Sequence, residues 1–256
     1  MASDAPFSRQ ALVVLNAHSG TGCGPERGEE LATLFAQAGI EAEVVMAHDS
    51  DAFRAAMERA QAQGTRLVVA GGGDGTQAGV AASLAGTECV QGVLPLGTLN
   101  HFAKDLGIPL KLEDAVRTIA QGRVLQVDVG EVNGHVFINN SSLGLYPEIV
   151  RERELQRMHL GKSKWRALAS ATLRATQRPH GLAVRIESEA EEQVRRTPFV
   201  FIGNNRYTME GLNIGGRESL QGGELALYVA RRRATYSASS PRSRLSRAPM
   251  FRPSIV

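Results

Sequence analysis

Three observations predict an α/β protein: an N-terminal doubly wound, mostly parallel α/β domain, then a C-terminal β-rich, sandwich-like domain. Short apolar runs alternate with stretches of helical spacing up to about residue 123. Three of those runs end in loops rich in Gly, Asn and Ser, as expected at the carboxyl edge of a parallel sheet. After about residue 124 the texture becomes alternating strands around an Asn133-Gly134 hairpin signal. The expected domains are 1–123, 124–230 and a basic, disordered tail over 231–256.

The elements follow in order. Ala11–Leu15 is a buried strand ending in Asn16-Ala17-His18-Ser19-Gly20. Pro25–Ala38 has helical spacing, with Pro25 at its start and Gly39 as its stop. Ala42–Met46 is the second strand, and Asp49 or Ser50 caps a helix running to Gln63. Leu67–Ala70 is a central strand breaking into Gly71-Gly72-Gly73-Asp74-Gly75-Thr76, and the run Gln77–Leu84 is helical. Val90–Leu94 is a strand leading to Pro95-Leu96-Gly97-Thr98-Leu99-Asn100, followed by short helices over His101–Leu106 and Leu112–Gln121. Beyond these, Leu125–Val132, His135–Asn139, Leu182–Glu187, Pro198–Gly203 and Glu224–Ala230 read as strands, with a helical insertion near Tyr146–Gln177.

The chain has 256 residues, 43% of them hydrophobic, enough for one large domain or two small ones. Its net charge of +3 is misleading, because residues 231–256 hold seven arginines and no acid. Without them, 22 basic residues face 26 acidic ones, a net charge of −4. A mildly acidic body argues against a nucleic-acid partner. No basic segment followed by an apolar stretch opens the chain, and no apolar run reaches membrane-spanning length. Cys23 and Cys89 lack metal-ligand spacing and read as reduced thiols, so a cytoplasmic protein is expected. The six histidines are scattered without metal spacing.

The stretch LVVAGGGDGT carries the chemistry. A strand, a glycine turn and a helix N-terminus together form an anion site: glycine lets a ligand approach the backbone, and free N–H groups point at negative charge. Asp74 stands out, because a carboxylate facing phosphate oxygens needs a metal ion or a proton between them. Gly73, Gly75 and Ala78 also fit the dinucleotide pattern G-x-G-x-x-[GA]. The acid expected about 20 residues later is replaced by Pro95-Leu96-Gly97.

Gly72-Gly73-Asp74-Gly75-Thr76 paired with Pro95-Leu96-Gly97-Thr98-x-Asn100-x-Phe102-Ala103 resembles the catalytic domain of diacylglycerol kinases and related bacterial lipid kinases. The Asn16–Gly20 loop is similar to that family's first nucleotide loop, and the likeness extends over about residues 10–230. The resemblance implies ATP bound by Asn16, Ser19, Gly20, Gly72, Gly73, Asp74, Gly75, Thr76, Gly97 and Thr98 in domain 1–123, with Asp74 catalytic. Asn100 would order the second loop or cap the helix after it. The resemblance further implies a lipid-substrate domain and Mg²⁺-dependent phosphorylation of a lipid hydroxyl, such as that of diacylglycerol.

Two departures accompany the resemblance. The family's metal loop ends in Asp-Gly-x-Leu, whereas Ser219-Leu220-Gln221-Gly222-Gly223-Glu224-Leu225 stands here, with Gly222 in place of the carboxylate and the backbone oxygens of Ser219 and Glu224 left as metal ligands in a weakened site. The family's later Asp-Gly-Glu, whose Glu is the general base, has no counterpart after Ala230. A β domain cut short there is expected to expose edges and to dimerise or lose solubility. Two alternatives to the lipid kinase follow: an NAD kinase, with Asn139-Asn140-Ser141 as the nearest match to that family's dinucleotide-contacting pair, or a nucleotide- or lipid-binding protein without turnover. Arg151–Arg178 carries eight basic residues against two acidic ones, interleaved with Leu, Met and Trp165. It reads either as a peripheral contact with anionic membrane or as a solvated helix pair.

Overall fold

The computed structural model describes residues 9–17, 24–144, 182–187, 192–210, 213–229 and 254–255. The loop residues His18, Ser19 and Gly20, the expected helical insertion, the basic stretch Arg151–Arg178 and most of the tail lie outside the described residues.

The first half alternates strand and helix: β1 (Gln10–Asn16), α1 (Pro25–Gln37), β2 (Glu41–Ala47), α2 (Ser50–Ala62), β3 (Leu67–Gly72), α3 (Asp74–Leu84) and β4 (Val90–Pro95), then α4 (His101–Asp105) and α5 (Leu112–Gln121). β1 pairs in parallel with β2 and β3, and β3 with β4. Both faces of β1 and β3 are covered, which explains their unbroken apolar runs. Leu12, Val14, Val68 and Ala70 pack with Ala56, Met57 and Ala60 of α2 and with Val80 and Leu84 of α3. Val13, Leu15 and Val69 share the other core with Leu31 and Phe35 of α1 and with Ala115, Val116 and Ile119 of α5. Each fully buried side chain of this size contributes about 1.5–3 kcal/mol. Asp49, not Ser50, caps α2, its carboxylate accepting from the Ala52 N–H at 2.7 Å.

The second half is antiparallel. The single strand expected over Leu125–Val132 divides into β5 (Leu125–Gln126) and β6 (Gly130–Val132), because Val127 and Asp128 turn inward, almost fully buried, between the two. β6 forms a hairpin with β7 (His135–Phe137). Asn133 and Gly134 both take positive φ there, 51° and 79°, as the two-residue turn requires. There follow β8 (Asn140–Gly144), β9 (Leu182–Glu187), β10 (Glu192–Thr197), β11 (Phe199–Asn204), β12 (Tyr207–Glu210), β13 (Asn213–Arg217) and β14 (Leu225–Val229). β11 is central, flanked by β14 and β8, while β9–β10 and β12–β13 are separate two-stranded ribbons. Phe201 anchors this half, meeting the rings of Tyr207 and Tyr228 edge-on at centroid distances of 5.3 and 5.7 Å.

The first sheet is not confined to the first 123 residues. Its order is β2-β1-β3-β4-β15-β5, where β15 is Ser254–Ile255. That dipeptide runs parallel to β4 and antiparallel to β5. The tail expected to be disordered therefore contributes a strand at this point. The cause is local: β4 offers an open edge, and Ile255 drops into the core at 1% exposure. Replacing Ile255 with Ala should cost about 2–4 kcal/mol in urea unfolding, and a loss below about 0.5 kcal/mol would show that the dipeptide is not docked.

Candidate active site

Sheet register sets the site. Leu15 pairs with Gly71, and Gly71 with Leu94. Asn16, Gly72 and Pro95 therefore come level at the carboxyl ends of three neighbouring strands, where ligands of open α/β sheets bind. The Asn16 amide donates to Thr76 Oγ1 at 3.1 Å, tying the end of β1 to the first turn of α3. Gly72 lies so close to Thr76 that a Cβ would fall 2.6 Å from the Thr76 Cβ. Gly73 precedes α3 in extended conformation, and Gly75 is exposed with open space beside it. The turn thus presents the first N–H groups of α3, which have no intrahelical partner, and among the described residues no side chain lies against Gly75.

The second loop closes onto the first. A Cβ on Gly97 would collide with the Gly73 Cα and approach the Asn100 Oδ1 to 2.9 Å. The two backbones touch because both residues are glycine. Asn100 takes a left-handed conformation, φ 50°, and does not cap α4. Its Oδ1 accepts from the Gly97 N–H at 2.9 Å, while its Nδ2 donates to the carbonyls of Pro95 and Gly97 at 3.1 and 2.8 Å. Asn100 therefore orders the loop from within, and its amide is occupied there. Thr98 stands exposed at the tip.

Asp74 lies beside the turn and joins it to α4. Its carboxylate caps α4 from outside: Oδ2 accepts from the His101 N–H at 3.2 Å and Oδ1 from the Phe102 N–H at 2.9 Å. The His101 side chain itself is exposed. A third donor comes from the β-rich half, the Asn139 Nδ2, 3.1 Å from Oδ1. Beneath the turn, the buried Gln77 donates to the carbonyls of Ala70 and Leu94 at 2.9 and 3.2 Å. The buried Gln91 of β4 donates to the Gln77 side-chain oxygen at 3.0 Å. Two glutamines in otherwise apolar runs thus lock α3 against the strands that carry both loops.

A buried arginine completes the arrangement. Arg217 donates to Asp105 Oδ2 at 2.8 Å, to the carbonyls of Ile138 and Asn204 at 2.6 and 3.2 Å, and to Asn139 Oδ1 at 2.9 Å. Its guanidinium also lies 5.5 Å from the centre of the Tyr207 ring. Burial pushes the Tyr207 phenol above its ordinary value; Arg217 and a hydrogen bond with the Asn140 side chain oppose the rise, and Asp105 and Asp74 add to it. Tyr207 is thus protonated at neutral pH. None of Gln77, Gln91, Asp105, Arg217 or Tyr207 was singled out by the motifs. The available signals were a polar residue inside an apolar run, as in Val90-Gln91-Gly92-Val93, and an arginine after two glycines, Gly215-Gly216-Arg217.

The side chains of the expected metal loop are engaged by protein groups. The Glu224 carboxylate pairs with Arg206 at 2.6 Å, and the Ser219 hydroxyl accepts from the Gln221 N–H at 3.1 Å. Gly222 supplies no ligand, and a Cβ there would lie 2.6 Å from the Asn205 Oδ1. The loop is instead held by protein: the Gly223 N–H donates to Asp128 Oδ2 at 2.6 Å, and the Gln221 amide to the Gln126 carbonyl at 2.6 Å. These contacts occupy the side chains of Ser219 and Glu224; of the backbone oxygens expected to serve a metal, that of Glu224 accepts from the Asn205 N–H at 2.9 Å. Among the described residues, no three His, Cys, Asp or Glu side chains gather to hold a metal, and no helix is long and apolar enough to cross a membrane.

Comparison with known proteins agrees with this geometry. Residues 10–132 match the family model described as the diacylglycerol kinase catalytic domain. A Yersinia pestis (strain Pestoides F) protein named "Probable lipid kinase YegS-like" is 41% identical over 101 residues, 38% of this chain and 34% of that protein. A protein of the same name from Yersinia pseudotuberculosis serotype O:1b (strain IP 31758) matches equally. The match thus spans about a third of these curated relatives' length. A crystal structure titled as a diacylglycerol kinase from Bacillus anthracis str. Sterne shares the fold, with a TM-score of 0.60 and 22% identity over 88% of this chain and 74% of that one. These matches do not favour the NAD kinase alternative. The two glycine loops and most of the sheet that carries them lie within the 10–132 segment that is similar to the diacylglycerol kinase catalytic domain.

Proposed function

We propose that this chain is an ATP-dependent lipid kinase, transferring the γ-phosphoryl group of ATP to a lipid hydroxyl such as that of diacylglycerol. The observation that carries the reading is the backbone contact between Gly73 and Gly97. It joins two loops into one cradle of N–H groups at the N-terminus of α3, open to a polyphosphate and closed to side chains. Asn16 and Thr76 would border the cradle on the β1 side, and Thr98 on the other. Magnesium carried by the nucleotide would neutralise phosphate charge, with Asp74 the carboxylate beside the cradle to face it. The chain's own contribution would be positioning and charge stabilisation. Asp74, pinned by three N–H donors, is a fixed negative charge. The Asn139-Asn140 pair offers little to an NAD kinase, because the Asn139 amide is taken up by Asp74 and Arg217 and no acid follows it.

The direct test incubates the protein with radiolabelled ATP, a lipid extract and, in parallel, NAD. Label in lipid is expected. Label in NAD would support the other kinase, and ATP binding without transfer would identify a protein that binds and does not turn over.

Gly97→Ala should force the two loops apart. Losing one or two charge-assisted N–H contacts costs about 1.5–3 kcal/mol each, so ATP affinity measured by calorimetry should fall at least about tenfold. Unchanged affinity in the folded variant would remove the cradle from the nucleotide site. Asp74→Asn should leave ATP affinity within about threefold and abolish lipid phosphorylation, a loss confined to the transition state. Turnover surviving that change would reduce Asp74 to its role as the cap of α4.

A further inference from the structure

We propose that Asn139 and Arg217 are positioning residues for Asp74, Arg217 fixing the side-chain amide of Asn139 and Asn139 fixing the carboxylate. The inference rests on reading Asp74 as the charged group of a phosphoryl-transfer site.

The argument starts from what each group can offer. A guanidinium only donates hydrogen bonds, and a carboxylate only accepts them. Asn139 stands between one of each. Its Oδ1 must face Arg217, 2.9 Å away, so its NH₂ must face Asp74, 3.1 Å away. Between these neighbours the flipped amide would set donor against donor and acceptor against acceptor. Arg217 is itself immobile. Its side chain is fully buried, and its remaining donors go to the Asp105 carboxylate and two backbone carbonyls. Nothing in that set can rotate independently.

The chain of contacts closes on itself through α4. Asp105, at the end of α4, holds Arg217; His101 and Phe102, at its start, donate to Asp74. The carboxylate is thus fixed from the α/β half by two backbone N–H groups and from the β-rich half by one amide. Among the described residues, Oδ1 receives two donors and Oδ2 one, from His101 at 3.2 Å. Oδ2 is therefore the oxygen with capacity left for a ligand. Asn139 and Arg217 touch no part of the glycine cradle in the structure, so they act through Asp74 and are not catalytic residues.

Asn139→Asp is the discriminating variant. It keeps the size of the side chain and an acceptor for Arg217, and it changes only the group facing Asp74 from a donor into a second negative charge. Three measurements are made on the full chain: ATP affinity by calorimetry, the single-turnover rate of transfer to lipid, and urea unfolding. The expected result is ATP affinity within about threefold of the unsubstituted chain and a transfer rate lower by about a hundredfold. In an Asp74→Asn background, the same change should lower any residual rate by less than about twofold, because both act on one group. Arg217→Lys, whose three donors on one nitrogen cannot serve the four acceptors of the guanidinium, should lower the rate at least about tenfold with ATP affinity unchanged. An Asn139→Asp rate within about threefold of the unsubstituted chain, or losses that multiply independently in the double variant, would overturn the proposal. If the unsubstituted chain transfers no phosphate to lipid, the kinase reading has failed on its own. The positioning claim is then read from unfolding: coupling between Asp74→Asn and Asn139→Asp supports it, and additive losses overturn it.

Discussion

The close approach of Gly73 and Gly97 constrains everything around it. Two backbones can touch only where neither bears a side chain, and they stay touching only if each loop is stiff. Stiffness comes from different sources on the two sides. The first loop is the start of a helix, braced from below by Gln77 and Gln91. The second has no helix to lean on and is laced by the three hydrogen bonds of Asn100. Leaving either buried NH₂ group unpaired would cost about 1–3 kcal/mol; that of Gln77 is met by carbonyls of the strands that support the loops, and that of Gln91 by Gln77 itself.

Asp74 combines two duties that usually fall to separate residues. As a cap it neutralises the start of α4, a helix too short to satisfy its own N-terminal groups. As a charge it sits where the two halves of the molecule meet. The β-rich half reaches it through a polar network, Asn139 and Arg217, not through apolar packing. Such a network is directional, so it can specify an angle as well as a distance. The salt bridges at the surface, such as Arg66 with Glu88, make no comparable contribution, because exposed pairs are worth about 0–1 kcal/mol.

The fold of the first half was legible because each element declared itself locally. Leu12 to Leu15 and Leu67 to Ala70 are apolar on both faces, and Gly39 and Gly64 end the helices before them, at φ 79° and 68°. The glycine motifs were legible as a cradle because their spacing from strand ends is short. The β-rich half was harder to read. β8 is written Asn140-Ser141-Ser142-Leu143-Gly144 and β10 Glu192-Gln193-Val194-Arg195-Arg196-Thr197, polar sequences that become strands through pairing rather than propensity. The site divided in the same way. Asn100 and Asp74 could be named from the sequence, but not what they bond, because Asp74 finds its third donor 65 residues away and Asn139 finds Arg217 78 residues away. Contacts at that separation leave no periodicity. The side-chain partners of Ser219 and Glu224, the Gln221 N–H and Arg206, were likewise not announced by the motif.

The strand Ser254–Ile255 also bears on the order in which the molecule can be made. During synthesis β4 emerges and pairs with β3 long before the dipeptide that covers its other edge exists, because half the chain separates β5 from β15. For that interval the α/β half carries an open parallel edge next to its core, the kind of surface on which partly made chains pair wrongly with one another. The basic, proline-containing composition of the residues leading to Ser254 works against such pairing, since like charges and proline both discourage strand addition. The segment that completes the sheet is thus delivered by a stretch of chain poorly suited to joining any sheet on the way.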